Sequence, residues 1–430
     1  MLSSSTRRKS SRGFEDKVSL LTQRVPTENI NTKGLTFRAY RSIGELEKLR
    51  PAWDRLLQVV PRATIFSTWE WLSSWWHAFG DDRELLTFAS FDSNGALIGL
   101  APLSLETHRT VAGLKFRLLS LMGDGSGDSD NLDLIVRPGE EQVFMSALLE
   151  HLRNDGGWDF ARFNTLPDNS PTAAILATEL AQRRWTWFQH QKPGTVIDLP
   201  GNWEVYRKQL SYNERGQLGK YIRRLERKYK VAIRKCSTES ELVGDLSSFV
   251  DLHQRRWQAN GRPGSFVSAA RRQFYRELSS QLLCREWLDL WTLELDSKAV
   301  ASEFDFRYRD TVYCLQVGFD PEYSEDRVGY ALRGHLLRQF INEGVSQYDF
   351  LAGDGGYKDR WGGRSRYYHN IEFALPGTRG CGYLLVLHSA AAPKEWLRRH
   401  VPPRWRSALQ AIHVKLGNVL RRDVTREVSE

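Results

Sequence analysis

Arg327-Val328-Gly329-Tyr330-Ala331-Leu332 stands where a predicted strand has ended and a predicted helix begins. A small residue at such a turn lets backbone N–H groups approach a phosphate, and the helix dipole adds a field that favours negative charge. A diphosphate needs this arrangement, although a lone Gly-x-Ala spacing is common to many strand-to-helix turns. Further along, Phe350-Leu351-Ala352-Gly353-Asp354-Gly355-Gly356-Tyr357-Lys358 leaves a short strand through three glycines. Glycine permits turns that other residues avoid, so Asp354, Tyr357 and Lys358 are gathered just beyond a strand end. A crowded polar loop in that place is either a site or a turn whose aspartate caps the next helix.

Outward from these motifs, the second half of the chain reads as alternating helices and strands. Apolar spacing predicts helices over 203–209, 218–228, 240–260, 269–283 and 330–342, with strands over 288–295, 299–308, 311–319 and 348–351. The first half has a similar plan. Strands are predicted at 36–41, 85–91, 96–106, 114–121, 132–136, 158–163, 185–190 and 195–199, and helices at 43–57, 140–153 and 173–183. Asp92-Ser93-Asn94-Gly95 carries the Asn-Gly signal of a hairpin. The segment Leu295–Val300 echoes it, which suggests a duplicated α/β plan. Trp71, Trp75 and Phe79 fall on one face of a helix, and the expectation there is an aromatic core element, with a stacking platform as the alternative.

Composition narrows the class. Of 430 residues 41% are hydrophobic and 15 are tryptophan, so most of the chain must fold. The formal charge of +9 favours anionic partners without naming one. The four cysteines lie far apart with no CxxC pair, which fits reduced thiols in a cytoplasmic protein rather than a disulfide frame or zinc site. No run approaches the ~20 apolar residues of a membrane span. Residues 1–34 read as a disordered basic tail. Asp124, Asp128, Asp130 and Asp133 lack the order and terminal glutamate of a calcium loop, so a surface loop or the rim of an acceptor site is expected.

Two basic elements remain. Residues 205–235 hold eleven Lys or Arg, a surface suited to RNA, to a coenzyme phosphate or to anionic lipid, or else an ordinary solvated face. From Trp405 to Leu420 apolar residues keep helical spacing, opposite Arg406, Lys415, Arg421 and Arg422. Such a helix packs on the body or lies on an anionic membrane surface, making the protein peripheral at the inner face.

The succession of strand, phosphate turn, helix, Tyr-Asp-Phe strand and Gly-Asp-x-x-Tyr-Lys-x-x-Trp resembles the acetyltransferase domain of the bacterial CelD/BcsL family. That family is named for cellulose and exopolysaccharide biosynthesis and is related to GNAT acetyltransferases and FemABX peptidyltransferases. Leu252-His253-Gln254-Arg255-Arg256-Trp257 matches as well. The likeness runs over roughly 36–375 and is strongest over 210–375. It implies an α/β (α+β) fold of two tandem GNAT-like lobes with mixed central sheets, at 35–200 and 201–376, and then a helical appendage at 377–430. It also implies transfer of an acyl group from acetyl-CoA or another acyl-CoA to a small or sugar-linked amine or hydroxyl acceptor, with neither metal nor DNA involved. The alternatives are a FemABX-like transferase using aminoacyl-tRNA and a non-catalytic, membrane-associated factor of a polysaccharide synthase.

The resemblance also implies roles. Tyr357 matches the tyrosine that protonates the departing thiolate, with Asp354 in the same loop. Glu303 or His253 would be the base, and His253 gains weight if the acceptor is a hydroxyl. Arg327, Val328, Gly329, Tyr330 and Ala331 would hold the diphosphate, with Lys358 neutralising phosphate or holding its loop. The turn departs from the GNAT pattern, since Val328 and Tyr330 flank one glycine and Ala331 replaces a second.

Overall fold

The computed structural model describes residues 36–110, 112–353 and 356–389. The basic tail, the 404–422 segment and Asp354 therefore lie outside the described residues.

The chain begins with β1 (Thr36–Tyr40), α1 (Ile43–Glu47) and α2 (Arg50–Val59), so the single helix expected over 43–57 is broken before Pro51. Proline suits a first helical turn and not an interior. Next come α3 (Trp69–Phe79), β2 (Arg83–Leu85), β3 (Thr87–Phe91), β4 (Leu97–Ala101), β5 (Leu103–Arg109), β6 (Lys115–Leu121) and β7 (Ile135–Val136). The first half closes with α4 (Glu141–Asp155), β8 (Phe160–Pro167), α5 (Thr172–Gln182) and β9 (Thr186–Asp198). The second half holds α6 (Trp203–Gln209), α7 (Tyr212–Lys228), β10 (Val231–Lys235), α8 (Glu239–Ala259), α9 (Ala269–Cys284) and β11 (Leu288–Leu295). It ends with β12 (Lys298–Tyr308), β13 (Thr311–Phe319), α10 (Val328–Asn342), β14 (Gln347–Ala352), β15 (Arg364–Ala374) and α11 (Arg379–Ser389).

Local chemistry sets several of these boundaries. Thr68 caps α3 by accepting from the Trp71 amide, and Thr238 with Glu241 makes a capping box on α8. In the β3–β4 hairpin Asp92 Oδ1 accepts from the Asn94 and Ala96 amides, and Gly95 takes a φ of +75°. Pro102 separates β4 from β5, and with no N–H to give it marks where the chain passes from one sheet to another.

Four strands, β1-β3-β4-β7, form a small sheet. Eleven form a large mixed one in the order β10-β11-β12-β13-β14-β9-β15-β8-β6-β5-β2. Its centre is an exchange of strands between the halves. β9, from the first half, pairs antiparallel with β14, and β15, from the second, pairs antiparallel with β8. β9 and β15 also pair with each other over eleven positions, from Arg364↔Val196 to Ala374↔Thr186. On either side of this seam lies one parallel pair, β13 with β14 and β6 with β8, each bridged by a helix, α10 or α4. The duplicated plan expected from the sequence is thus present as two α/β lobes with mixed sheets.

Trp71 and Trp75 are fully buried, and Phe66, Phe274 and Phe306 ring the Trp71 indole at 4.6–5.3 Å, so the tryptophan block is core and not a stacking platform. A second core lies beneath α10, built from Leu332, Leu336, Leu337 and Phe340 against Tyr206, Leu225 and Tyr348. α11 docks through Leu384 and Tyr383 onto Phe116 and Phe160, which ties the start of the expected appendage to the body. No helix among the described residues is long and apolar enough to cross a membrane.

Candidate active site

β13 and β14 run parallel for three pairs, ending at Tyr313↔Asp349, and then part. β13 continues to Phe319 and carries a bulge, since Asp305 faces Cys314 while Phe304 faces Gln316, leaving Leu315 unmatched. β14 turns away at Leu351, whose φ of +62° is unusual for a non-glycine residue. Such a conformation costs about 1–2 kcal/mol. It is held by Asp349 Oδ1, which accepts from the Leu351 amide at 2.8 Å, and by Lys358. The two facing edges no longer bond to each other beyond the fork; on β14 the Leu351 and Ala352 amides are taken by Asp349 and Asp130, and the carbonyls from Phe350 to Gly353 by Lys358.

α10 starts at the far end of the same cleft. Arg327 precedes it in the left-handed conformation, and no side chain caps the helix. The first amide in its ladder is that of Ala331, which donates to the Arg327 carbonyl. The amides of Val328, Gly329 and Tyr330 therefore begin the helix as its free donors. Gly329 is half-buried, and a Cβ built there meets only Phe319 Cδ1 at 3.5 Å, so the turn is open. In the first lobe α4 likewise has no side-chain cap, but it opens on Glu141, whose Oε2 accepts from the Gly139 amide at 2.7 Å just before the helix. A carboxylate in that first turn repels a second anion.

The side chains around the α10 start do structural work. Val328 and Ala331 are buried in the core, so they can serve a ligand only through their backbone. The Tyr330 hydroxyl donates to Glu214 at 2.8 Å and its ring packs on Trp361 at 4.6 Å. Just before the helix, Asp326 accepts from Arg224, Lys228 and Tyr229. The basic helix α7 is thereby fixed beside the turn.

The apex of the fork holds a buried polar cluster. Arg333, from α10, donates from Nε to Glu303 at 3.1 Å and from a terminal nitrogen to Cys314 Sγ at 3.2 Å. The Tyr348 hydroxyl donates to Glu303 and lies 3.4 Å from Asp305. Burial first, and then the adjacent Glu303 carboxylate, push the Asp305 carboxyl well above the usual carboxylate range. Donor atoms of Glu303, Asp305 and Cys314 lie within 4.8 Å of one another, but the Arg333 guanidinium already supplies the positive charge there.

Tyr357 reaches this cluster from the loop after β14. It is 49% exposed, and Arg333 Cζ lies 6.0 Å from its ring centre. Desolvation raises its hydroxyl above the ordinary tyrosine value against the pull of Arg333, so it is a neutral phenol at physiological pH. Lys358 turns inward, and its ammonium donates to the carbonyls of Phe350, Leu351, Ala352 and Gly353 at 3.1–3.4 Å. Of the two roles expected for it, the hydrogen bonds are those of loop holding and leave none for a phosphate.

Neither base suggested by the sequence lies at the cleft surface. Glu303 is fully buried and paired with Arg333. His253 is also fully buried, with Nε2 3.2 Å from Gln316 Oε1, and desolvation lowers its pKa to about 4. Its backbone is pressed against β13, where a Cβ on Gly318 would come within 2.5 Å of the His253 nitrogen. A carboxylate that does reach the end of β14 comes from the acidic run of the first lobe. Asp130 Oδ2 accepts from the Ala352 amide at 2.9 Å, and burial raises its pKa to about 6. The rest of that run is structural. Asp128 accepts from Arg271 and Tyr275, and Asp124 from Asn164. Sequence reasoning does not reach Arg333, and it meets Tyr348 and Arg256 only as members of motifs, with no role. They occupy helix or strand interiors, and only the tertiary fold shows what each meets.

An apolar pocket of about 350 Å³ lies under α7, lined by Ile222, Tyr229, Ile233, Ala331 and His335 among others.

Residues 213–359 match the family model described as "Acetyltransferase (GNAT) domain". No curated protein matches the sequence. Among solved structures, FemX is similar at a TM-score of 0.57 and 10% identity, over 79% of this chain and 98% of that one. The C-terminal domain (DUF2156) of a putative lysylphosphatidylglycerol synthetase from Agrobacterium fabrum aligns at 0.48 and 10%, over 78% and 94%. A tandem GNAT protein from the clavulanic acid biosynthesis pathway aligns at 0.42 and 12%, over 80% and 99%. At such identities the likeness to FemX concerns the fold. The second lobe is thus similar to a GNAT acetyltransferase domain over residues 213–359, in a two-lobed α/β chain that shares the FemX fold.

Proposed function

We propose that the protein is an acyltransferase that moves an acyl group from a coenzyme A thioester to an amine or hydroxyl acceptor. One observation carries this reading. The uncapped start of α10 at Gly329 and the neutral phenol of Tyr357 border one forked cleft between β13 and β14. The free amides suit a diphosphate, and the phenol can give its proton to a departing sulfur. Arg333 and Glu303 position the phenol from below rather than touching the reacting atoms. Asp130, carried in from the first lobe, is the acceptor-side carboxylate.

The resemblance to the CelD/BcsL family adds a setting in cellulose-type exopolysaccharide or envelope synthesis at the inner face of the membrane, with residues 404–422 as the contact. Acetyl-CoA and longer acyl-CoAs should raise the melting temperature of the purified protein. No shift with any thioester counts against the reading.

A second reading, transfer from aminoacyl-tRNA, is favoured by the exposed stripe Lys220, Arg223 and Arg227 on α7. Charged tRNA would then bind with a steep salt dependence that neutralising Arg223, Arg224 and Arg227 flattens. Absence of RNA binding at low ionic strength ends that idea.

A further inference from the structure

Arginines withdrawn from solvent in this protein meet carboxylates. Arg83 pairs with Glu106, Arg271 with Asp128, Arg333 with Glu303 and Arg366 with Asp349, at 2.7–3.1 Å. Arg256 departs from the pattern. It is half-buried on α8, and among the described residues no carboxylate lies within 4.0 Å of its guanidinium. Its hydrogen bond goes to the Val317 carbonyl at 2.9 Å, and its Cζ lies 5.2 Å from the Phe319 ring centre. The acidic group that bears on it, Glu303, is already held by Arg333. A cation withdrawn from water without a counter-charge is disfavoured.

Its position is as informative as its lack of a partner. On β13, Gln316 and Gly318 face α8, whereas Val317 and Phe319 pack toward α10. Arg256 starts from α8 yet ends over Phe319, so it wraps the free edge of β13 inside the fork. Phe319 in turn is the side chain nearest the open turn at Gly329. The Tyr357 phenol also bears on it electrostatically. The guanidinium, with no carboxylate partner, thus lies against the side chain that borders the phosphate turn.

We infer that Arg256 clamps an oxyanion of a bound substrate in the cleft, either a phosphate of the donor or a carboxylate or phosphate of the acceptor. A planar guanidinium fork suits such groups, and a charge-assisted pair in a partly dry cleft is strong. The inference rests on the transferase reading for the nature of the two substrates, but not for the presence of an anion site.

Calorimetric titration of the full chain separates the cases, with coenzyme A, phosphate-free pantetheine and inorganic phosphate as probes. If the donor supplies the oxyanion, Arg256→Gln weakens coenzyme A at least about tenfold and leaves pantetheine unchanged. If the acceptor supplies it, coenzyme A binds Arg256→Gln as it binds wild type, and phosphate added to the coenzyme complex binds wild type alone. In both cases Arg256→Lys retains most of the binding, and Arg256→Gln melts no lower than wild type because an uncompensated charge has gone. Equal binding of coenzyme A and of phosphate to wild type and Arg256→Gln overturns the inference, as does a wild type that binds neither. Phosphate binding through Arg256 in a protein that ignores coenzyme A would leave the inference standing and remove the transferase reading.

Discussion

Arg333 Cζ lies 6.0 Å from the centre of the Tyr357 ring while its Nε holds Glu303 at 3.1 Å. A buried ion pair therefore forms the floor under the phenol. Arg333→Met would leave Glu303 charged and unpaired in the interior, at a cost of about 3–5 kcal/mol. The double variant Glu303→Leu/Arg333→Met, which removes both charges, should recover most of that loss. Urea unfolding of the single and double variants measures both quantities, and an additive double variant would contradict the pairing.

Tyr357→Phe removes the proton that the phenol would donate and little else, since the hydroxyl makes no hydrogen bond among the described residues. Turnover should fall about a hundredfold or more, with donor affinity nearly unchanged. Steady-state kinetics beside a binding titration distinguish these effects. Unchanged turnover takes the tyrosine out of the mechanism.

Acid should weaken the fold through His253. In the folded protein burial holds its pKa at about 4, below the ordinary value of 6.5. Between those values the unfolded chain binds the extra proton and the folded one does not, so stability is full above pH 6.5 and falls as pH drops toward 4. From pH 7.5 to pH 5 this residue alone accounts for about 2 kcal/mol. In His253→Phe that part of the pH dependence should be missing from urea midpoints. An identical profile would mean that the imidazole is not withheld from protonation.

Local signals are legible in the sequence and nonlocal ones are not. The Asn94-Gly95 turn, the strand at 311–319 and the helix from Gly329 are each written in a few adjacent residues, and they stand where periodicity and turn chemistry put them. The tryptophan block reads as core because its spacing is helical and its area too large to leave wet. In contrast, β15 has no local signal. Arg364-Ser365-Arg366-Tyr367-Tyr368-His369-Asn370 is polar for a central strand, and β15 is held by partners at 161–167 and 186–196. β9 reads as two strands because Pro193-Gly194 interrupts the pattern, yet the strand continues through it. Gly194 admits the close approach of Tyr368 and Leu351 there. The loop tyrosine of the site is visible from its glycines. Its supporting arginines are not, because nothing in the sequence around Arg256 or Arg333 records which carboxylate each will or will not meet.

The most direct test is coenzyme A binding to Gly329→Asp. The cleft has room for a Cβ at this position, and an acidic residue in a first helical turn is itself favourable, so the variant should fold with an unchanged or higher melting temperature. Its carboxylate would compete with a phosphate for the free amides. The account predicts coenzyme A binding to wild type that weakens at least about tenfold in Gly329→Asp. Equal affinity in the two proteins, or no binding to wild type, would contradict it.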